Sequence, residues 1–193
     1  MDNKDLIKSI FKESSGVKEE FLSDEANISK IAKAAETLIE CYKKGGKVIV
    51  FGNGGSAADS QHLAAELLVK FEKERPPMAA IALVTDTSVL TATSNDYDFS
   101  EVFSRQVEAL AGVSDVAVAI STSGNSPNVL EGAKKARMKK IPVIALTGRS
   151  GGQLAGEADI SIIVKSDNTA RIQEVHAVII HSICKIVEDA FTG

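Results

Sequence analysis

Apolar and polar residues follow two different rhythms along the chain, and each rhythm predicts its own kind of secondary structure. From about residue 3 to residue 44, apolar side chains recur at spacings of three and four, as on one face of an amphipathic helix. Ser23 and Asp24 interrupt this stretch with side chains that favour the N-terminus of a helix. The pattern therefore predicts two helices before the first strand.

After Gly45 and Gly46, short β-rich runs alternate with helical ones. The β-rich runs are KVIVFG, MAAIALV, DVAVAIS, PVIALTG and ISIIV, at 47–52, 78–84, 115–121, 142–148 and 160–164. Helices are predicted at 56–72, in two short segments up to 111, at 126–140 and at 169–191, with a short turn before the last strand. Strands that are apolar on both faces indicate a parallel sheet covered by helices on each side. The predicted class is α/β in a single domain, 1–193, with N-terminal helices at 1–45 and a sheet–helix core at 46–193.

Composition narrows the possible functions without pointing to one. The 193 residues carry a formal net charge of -4, so the chain has no general attraction for nucleic acid phosphates, and we expect no nucleic acid partner. The N-terminal residues lack the features of a signal peptide, and no apolar run approaches the ~18 residues that a membrane helix needs. We therefore expect a cytoplasmic protein without a membrane partner. The two cysteines, Cys41 and Cys184, stand in helical patterns and predict neither a disulfide nor a cysteine metal site.

In parallel sheets ligands bind beyond the carboxyl ends of the strands, and two segments with suitable side chains follow strands here. The segment STSGNSPNV follows DVAVAIS and places four hydroxyls around Gly124, where a helix begins: Ser121, Thr122, Ser123 and Ser126. Free N–H groups, the helix dipole and hydroxyl donors together favour an anion, and a phosphate monoester fits best because it presents several oxygens. A capped turn without a ligand remains the alternative interpretation.

The second segment, GNGGSAAD, follows KVIVFG and is rich in glycine. It matches neither the GxGxxG nor the GxxxxGK[ST] pattern, so nucleotide binding is not indicated. Glycine permits positive φ and close approach of the backbone, so a polar ligand could lie against residues 53–56.

All three histidines fall in two predicted helices. His62 and Glu66 stand at positions i and i+4 of the helix after the glycine loop and so share one face. His181 lies in the last helix among apolar neighbours, where it is either a core imidazole or a base that faces a ligand. A carboxylate and an imidazole near a phosphate site are suited to isomerisation of a phosphorylated carbonyl compound.

Gln173 stands in the same predicted helix as His181. Together with His62, Glu66 and His181 it has the chemistry of a zinc ligand, because His, Glu and Gln supply nitrogen and oxygen donors. On a straight helix, however, Gln173 and His181 would be ~12 Å apart along the axis, at ~1.5 Å per residue. They meet at one ion only if Gln173 precedes the regular helix, if the helix bends, or if a neighbouring subunit contributes one of them.

Four motifs, FGNGGSAADSQHLAAEL, STSGNSPNV, LTGRSGGQLA and TARIQEVH, resemble those of the sugar isomerase (SIS) domain, and in particular the phosphoheptose isomerases. The resemblance covers residues 1 to 192. It implies a five-stranded parallel sheet flanked by helices and a homotetramer with active sites between subunits. The implied reaction converts sedoheptulose 7-phosphate to D-glycero-D-manno-heptose 7-phosphate through an enediol, the first step of bacterial ADP/GDP-heptose biosynthesis.

The resemblance also implies a role for individual residues, position by position. Glu66 and His181 would be the catalytic acid/base pair. One zinc ion per active site would be held by His62, Glu66, Gln173 and His181. Substrate and phosphate would be bound by Asn53, Gly54, Ser56, Asp96, Ser121, Thr122, Ser123, Ser126 and Gln173.

The alternative function is a non-catalytic SIS regulatory module that binds a sugar phosphate or the replication initiator. In such a relative the motif glutamate and the later histidine are replaced. Both Glu66 and His181 are present in this chain, which favours the enzyme.

Overall fold

The computed structural model describes residues 2–192 as a parallel sheet between two layers of helices. The five strands are β1 (Val48–Gly52), β2 (Ala80–Ala82), β3 (Val116–Ser121), β4 (Val143–Gly148) and β5 (Ile160–Val164). The eight helices in this part of the chain are α1 (Asn3–Leu22), α2 (Glu25–Lys43), α3 (Gly55–Leu68), α4 (Thr87–Asp96), α5 (Ser104–Leu110), α6 (Pro127–Met138), α7 (Leu154–Glu157) and α8 (Thr169–Phe191). The α/β class and the parallel sheet predicted from the sequence are confirmed.

The strands lie in the order β2-β1-β3-β4-β5, and all neighbouring pairs are parallel. The chain leaves β1 towards β2 on one side and then returns to build β3, β4 and β5 on the other. The direction of winding reverses between β1 and β3, and ligands bind at the carboxyl ends of the strands at such switch points.

Each layer of helices covers its own face of the sheet, because neighbouring strand residues point to opposite faces. On one face, Val48 and Val50 of β1 belong to an apolar cluster with α2, α3 and α8. On the other face, Ile49 and Phe51 pack with α5, α6 and α7. Alternate residues of one strand thus serve both layers, which explains why β1 is apolar throughout.

Several element boundaries differ from the sequence-based prediction by one to four residues, and two of them change the path of the chain between α3 and β2. Strand β2 is limited to three residues at the edge of the sheet, where it pairs only with β1. Helix α3 ends at Leu68 rather than at residue 72, and residues 69–77 form a loop that leads to β2. The apolar pattern continues past the end of the helix, so it gave no sign of this loop. Within residues 2–192 no helix is long and apolar enough to span a membrane.

Candidate active site

The glycine loop lies at the switch point, between the end of β1 and the start of α3. Gly54 caps α3 with φ 56° and ψ −120°, a conformation for which only glycine is suited. Ser56 is buried, and a Cβ on Gly52 would lie only 2.8 Å from the Cβ of Ser56, so the loop is closely packed. The loop therefore places the backbone of residues 53–56 at the carboxyl end of β1.

Asn53 joins this loop to the segment that follows β3. Its side-chain amide donates to Asn128 Oδ1 at 2.8 Å and accepts from Asn128 Nδ2 at 2.9 Å. Asn128 Oδ1 also accepts from the backbone N–H of Val129 in the first turn of α6. Sequence analysis missed Asn128, whose only signal is its place next to Pro127 in the serine-rich motif. The reciprocal pair fixes the distance between the two loops.

The serine-rich loop closes around a point at the N-terminus of α6. Ser121 is the last residue of β3, and its hydroxyl lies 3.1 Å from that of Ser126 and 3.4 Å from that of Ser123. Ser126 is the N-cap residue of α6, yet its side chain makes no capping bond. The loop turns at Gly124, with φ 65°, and a Cβ there would lie 2.0 Å from the carbonyl oxygen of Gly151. Three converging hydroxyls at the start of a 12-residue helix suit a phosphate group.

The ionisable side chains of α3 and α8 form a second group. His62 Nε2 lies 2.8 Å from His181 Nε2 and 3.7 Å from Glu66 Oε1. Because the two ring nitrogens are within hydrogen-bond distance, one imidazole donates and the other accepts. The ring of Phe71 packs beside that of His181, with 5.6 Å between centroids. The structure thus brings together the catalytic pair that the resemblance implies and one further predicted zinc ligand.

The choice between a core and a ligand-facing histidine is resolved by the rotation of α8. The ring of His181 is exposed, so it is not a core imidazole. His176 has that role: it is fully buried, and its Nε2 donates to the carbonyl oxygen of Thr147 at 3.0 Å. Burial lowers the pKa of His176 to about 4, although the bond to Thr147 opposes the shift. His176 is therefore neutral at physiological pH and structural.

Gln173 lies apart from the ionisable group. Its amide packs against the Cα of Gly55 so closely that a Cβ on Gly55 would be 2.2 Å from Gln173 Nε2. Helix α8 begins at Thr169 and includes Gln173, so Gln173 does not precede the regular helix. Gln173 accordingly contacts the glycine loop, about 12 Å along the axis of α8 from His181 at about 1.5 Å per residue.

A further predicted residue, Asp96, is the exposed last residue of α4. Its carboxylate accepts a hydrogen bond from Asn95 at 2.8 Å, and among residues 2–192 it makes none to another predicted site residue. Asp59 was not predicted and lies one helical turn before His62. Burial raises the pKa of Asp59 to about 6, and His62 opposes this shift. Its only sequence signal is its position on the same face of α3.

The donor atoms of His62, Glu66 and His181 are of the types that zinc prefers and lie within 4 Å of His62 Nε2. Among residues 2–192, no group of three or more His, Cys, Asp or Glu side chains is placed so that it could hold a metal ion. The group is also open, because the side chains of His62 and Glu66 are 44% and 23% exposed. The residues therefore fit zinc in chemical type, but the described chain does not arrange three of them around one ion.

Known proteins resemble this chain over nearly its whole length. The model of the SIS domain family matches residues 11–148. A phosphoheptose isomerase of Campylobacter jejuni is 54% identical over 172 residues, which cover 88% of this chain and 92% of that protein. The solved structure of a phosphoheptose isomerase from Neisseria gonorrhoeae superposes with a TM-score of 0.92 at 43% identity, over 97% of this chain and all of that one. The corresponding structure from Francisella tularensis gives 0.92 and 43% over 98% of this chain.

Proposed function

This chain belongs to the SIS domain family, and we propose that it is an isomerase that converts sedoheptulose 7-phosphate to D-glycero-D-manno-heptose 7-phosphate. Relatives that are 51–55% identical over 83–98% of the chain are named phosphoheptose isomerases. They favour the isomerase over the non-catalytic regulatory module. The observation that carries the proposal is the contact of His62 on α3 with both Glu66 on α3 and His181 on α8, in a fold whose serine-rich loop is suited to a phosphate.

The reaction moves hydrogen between neighbouring carbon atoms. One member of the pair Glu66 and His181 removes a proton from C1 of the ketose, and the electron pair left behind forms the double bond between C1 and C2. The carbonyl oxygen at C2 takes up a proton at the same stage, which gives the enediol. The pair then returns a proton to C2, while the hydroxyl proton at C1 is given up and C1 becomes the aldehyde. General acid–base catalysis of this kind contributes typically ~100- to 10,000-fold.

The substrate is bound by the glycine loop that follows β1 and the serine-rich loop that follows β3. Ser121, Thr122, Ser123 and Ser126 hold the phosphate at the N-terminus of α6, where backbone N–H groups and the helix dipole also favour an anion. Asn53, Gly54 and Ser56 line the sugar, with Asp96 and Gln173 as further polar contacts. The bond between Asn53 and Asn128 keeps the two halves of the site at a fixed separation.

We also propose one zinc ion per active site, held by His62, Glu66, Gln173 and His181. When bound, zinc would supply a Lewis acid that polarises the carbonyl. Because Gln173 packs against Gly55 within one chain, the fourth ligand would come from a second copy of the chain. The donor types and the openness of the group in one subunit support this arrangement.

We also propose a homotetramer with active sites between subunits, and exposed apolar side chains near the site support it. Val178 lies one turn before His181 on α8 and is 49% exposed, and Leu68 and Val69 beside the site are 44% and 69% exposed. A second subunit would cover these apolar side chains. We expect Val178→Glu to lower both the sedimentation-derived mass and the activity. A tetramer that remained intact and active would contradict this part of the proposal.

We place the reaction in the cytoplasm, where charged sugar phosphates are retained.

The reaction is tested with sedoheptulose 7-phosphate in deuterium oxide, followed by NMR with and without a chelator. Deuterium at C2 of the heptose product is expected from exchange at the acid/base pair, and loss of product with chelator is expected if zinc takes part. Glu66→Gln should abolish turnover. Its unfolding midpoint should be close to that of the control Glu36→Gln, which replaces an exposed residue on α2. Full activity in Glu66→Gln would remove the proposed role, and no heptose from the wild type would favour the regulatory module.

A further inference from the structure

Loop 69–77, between α3 and β2, is held by a carboxylate from the far end of the chain. Glu188 of α8 is fully buried. Its two oxygens accept hydrogen bonds from the backbone N–H groups of Phe71, Glu72 and Lys73, at 2.9, 2.8 and 2.9 Å. Three consecutive backbone donors on one side chain fix both the path and the orientation of the loop.

Arg75 links the same carboxylate to the end of α3. Its side chain is 1% exposed, and its Nε lies 3.4 Å from Glu188 Oε1. Its guanidinium also donates to the backbone carbonyl of Glu66 at 2.6 Å and to that of Leu67 at 2.8 Å. Arg75 therefore connects Glu188 on α8 to the peptide group of the residue that carries the proposed catalytic carboxylate.

The anchored loop also touches the other half of the catalytic pair. Phe71 is the first residue whose N–H binds Glu188, and its ring packs against that of His181 at 5.6 Å between centroids, with 36° between the planes. The buried ion pair of Glu188 and Arg75 thus contacts the backbone of Glu66. It also holds Phe71, whose ring contacts His181. A displacement of about 1 Å between catalytic groups can lower a rate about 100-fold.

We propose that Glu188 and Arg75 are positioning residues of the isomerase, which set the geometry of Glu66 and His181 through the backbone of loop 69–77 and the ring of Phe71. The proposal rests on the proposed function for its kinetic consequence. Its structural consequence, an altered setting of His181, is independent of any activity.

The chain offers a matched control at the amino ends of β1 and β3. Asp115 is 4% exposed and accepts from the backbone N–H groups of Lys47 and Gly112, and it forms an ion pair with Lys47. In both Asp115 and Glu188, burial acts to raise the pKa of the carboxyl, but the backbone N–H groups and the paired cation outweigh it and lower the pKa. Asp115 precedes β3 and so lies away from the carboxyl ends of the strands.

The experiment compares Glu188→Gln with Asp115→Asn, at a temperature where circular dichroism shows both to be folded. For Glu188→Gln we expect kcat to fall about 10- to 100-fold with KM within about twofold, and Glu188→Asp to recover part of the loss. For Asp115→Asn we expect kcat within about twofold of the wild type. In NMR spectra of protein with ¹⁵N-labelled histidine, the His181 signals should shift in Glu188→Gln and not in Asp115→Asn.

The outcomes separate the two proposals. If the wild type converts no heptulose phosphate but the His181 signals respond to Glu188→Gln alone, the proposed function fails and the positioning role stands. Unchanged His181 signals, or equal loss of kcat in both variants, would overturn the positioning role. Should Glu188→Gln fail to fold, Phe71→Leu leaves the ion pair in place and removes the ring contact. It should lower kcat and shift the His181 signals, and the absence of both effects would overturn the proposal.

Discussion

Gly55→Ala should separate activity from stability, because glycine is required at this position by a neighbouring side chain rather than by the backbone. Gly55 is the first residue of α3, and its φ is not in the positive range in which Gly54 and Gly124 lie. A Cβ at residue 55 would instead lie 2.2 Å from Nε2 and 2.7 Å from Cδ of Gln173. The atoms that it meets belong to the end of a flexible side chain.

The magnitudes follow from these distances. A relaxed contact needs about 3.5 Å, so the amide of Gln173 must retreat by about 1.3 Å from its position 2.2 Å away. The retreat costs about 0.5–1.5 kcal/mol if Gln173 leaves its rotamer, while alanine in place of glycine gains up to about 1 kcal/mol in a helix. The free energy of unfolding should therefore change by less than about 1.5 kcal/mol. Activity should fall about 100-fold, since a proposed ligand has moved by more than 1 Å.

The assay pairs isomerase kinetics with urea unfolding for Gly55→Ala and for a control, Gly16→Ala. Gly16 lies within α1, and a Cβ there would meet no atom within 4 Å. The control should be stabilised by up to about 1 kcal/mol with unchanged kinetics. Wild-type kcat/KM in Gly55→Ala would refute the role of Gln173. A loss of more than about 3 kcal/mol would show that the backbone, not Gln173, opposes the Cβ.

Three further predictions concern the loops and the core. Gly124→Ala should lower the free energy of unfolding by more than about 3 kcal/mol, because φ is 65° and the Cβ would lie 2.0 Å from Gly151 O; a smaller loss in urea unfolding would contradict this. The folded-state pKa of His176 is about 4, below that of the unfolded chain, so the unfolded chain binds the proton more readily. The free energy of unfolding should therefore have its full value above about pH 6.5 and fall as the pH drops towards 4. His176→Gln should flatten that decline, and an unchanged pH dependence would exclude His176 as its source. A double-mutant cycle of Asn53→Ala and Asn128→Ala should give a coupling of about 1–2 kcal/mol, and additive losses would show that the reciprocal bonds contribute nothing.

Histidines 176 and 181 show what sequence reasoning could and could not decide. Both stand in one helical run, and the apolar neighbours of His181 left a core and a ligand-facing interpretation open. Packing of α8 turns His176 to the carbonyl oxygen of Thr147 and His181 to His62. The choice depended on which face of α8 meets the sheet, and α8 carries apolar residues on more than that face.

The end of α3 is a second case. The apolar pattern continues beyond Leu68, so a longer helix was predicted. In the structure the N–H groups of residues 71–73 bind Glu188, which is more than 110 positions away in the chain. No local pattern contains that partner, and the loop that it holds was therefore missed.

The sequence by itself determined the elements and the hydroxyl-rich loop after β3, because periodicity and capping act between residues a few positions apart. The tertiary structure alone decided the strand order that places β1 beside β3. It also decided the pairing of His62 with His181, 119 positions apart, and of Asn53 with Asn128, 75 positions apart. These contacts arise only when two layers of helices bury their apolar faces on one sheet, which depends on the packing of the whole chain rather than on any segment of it.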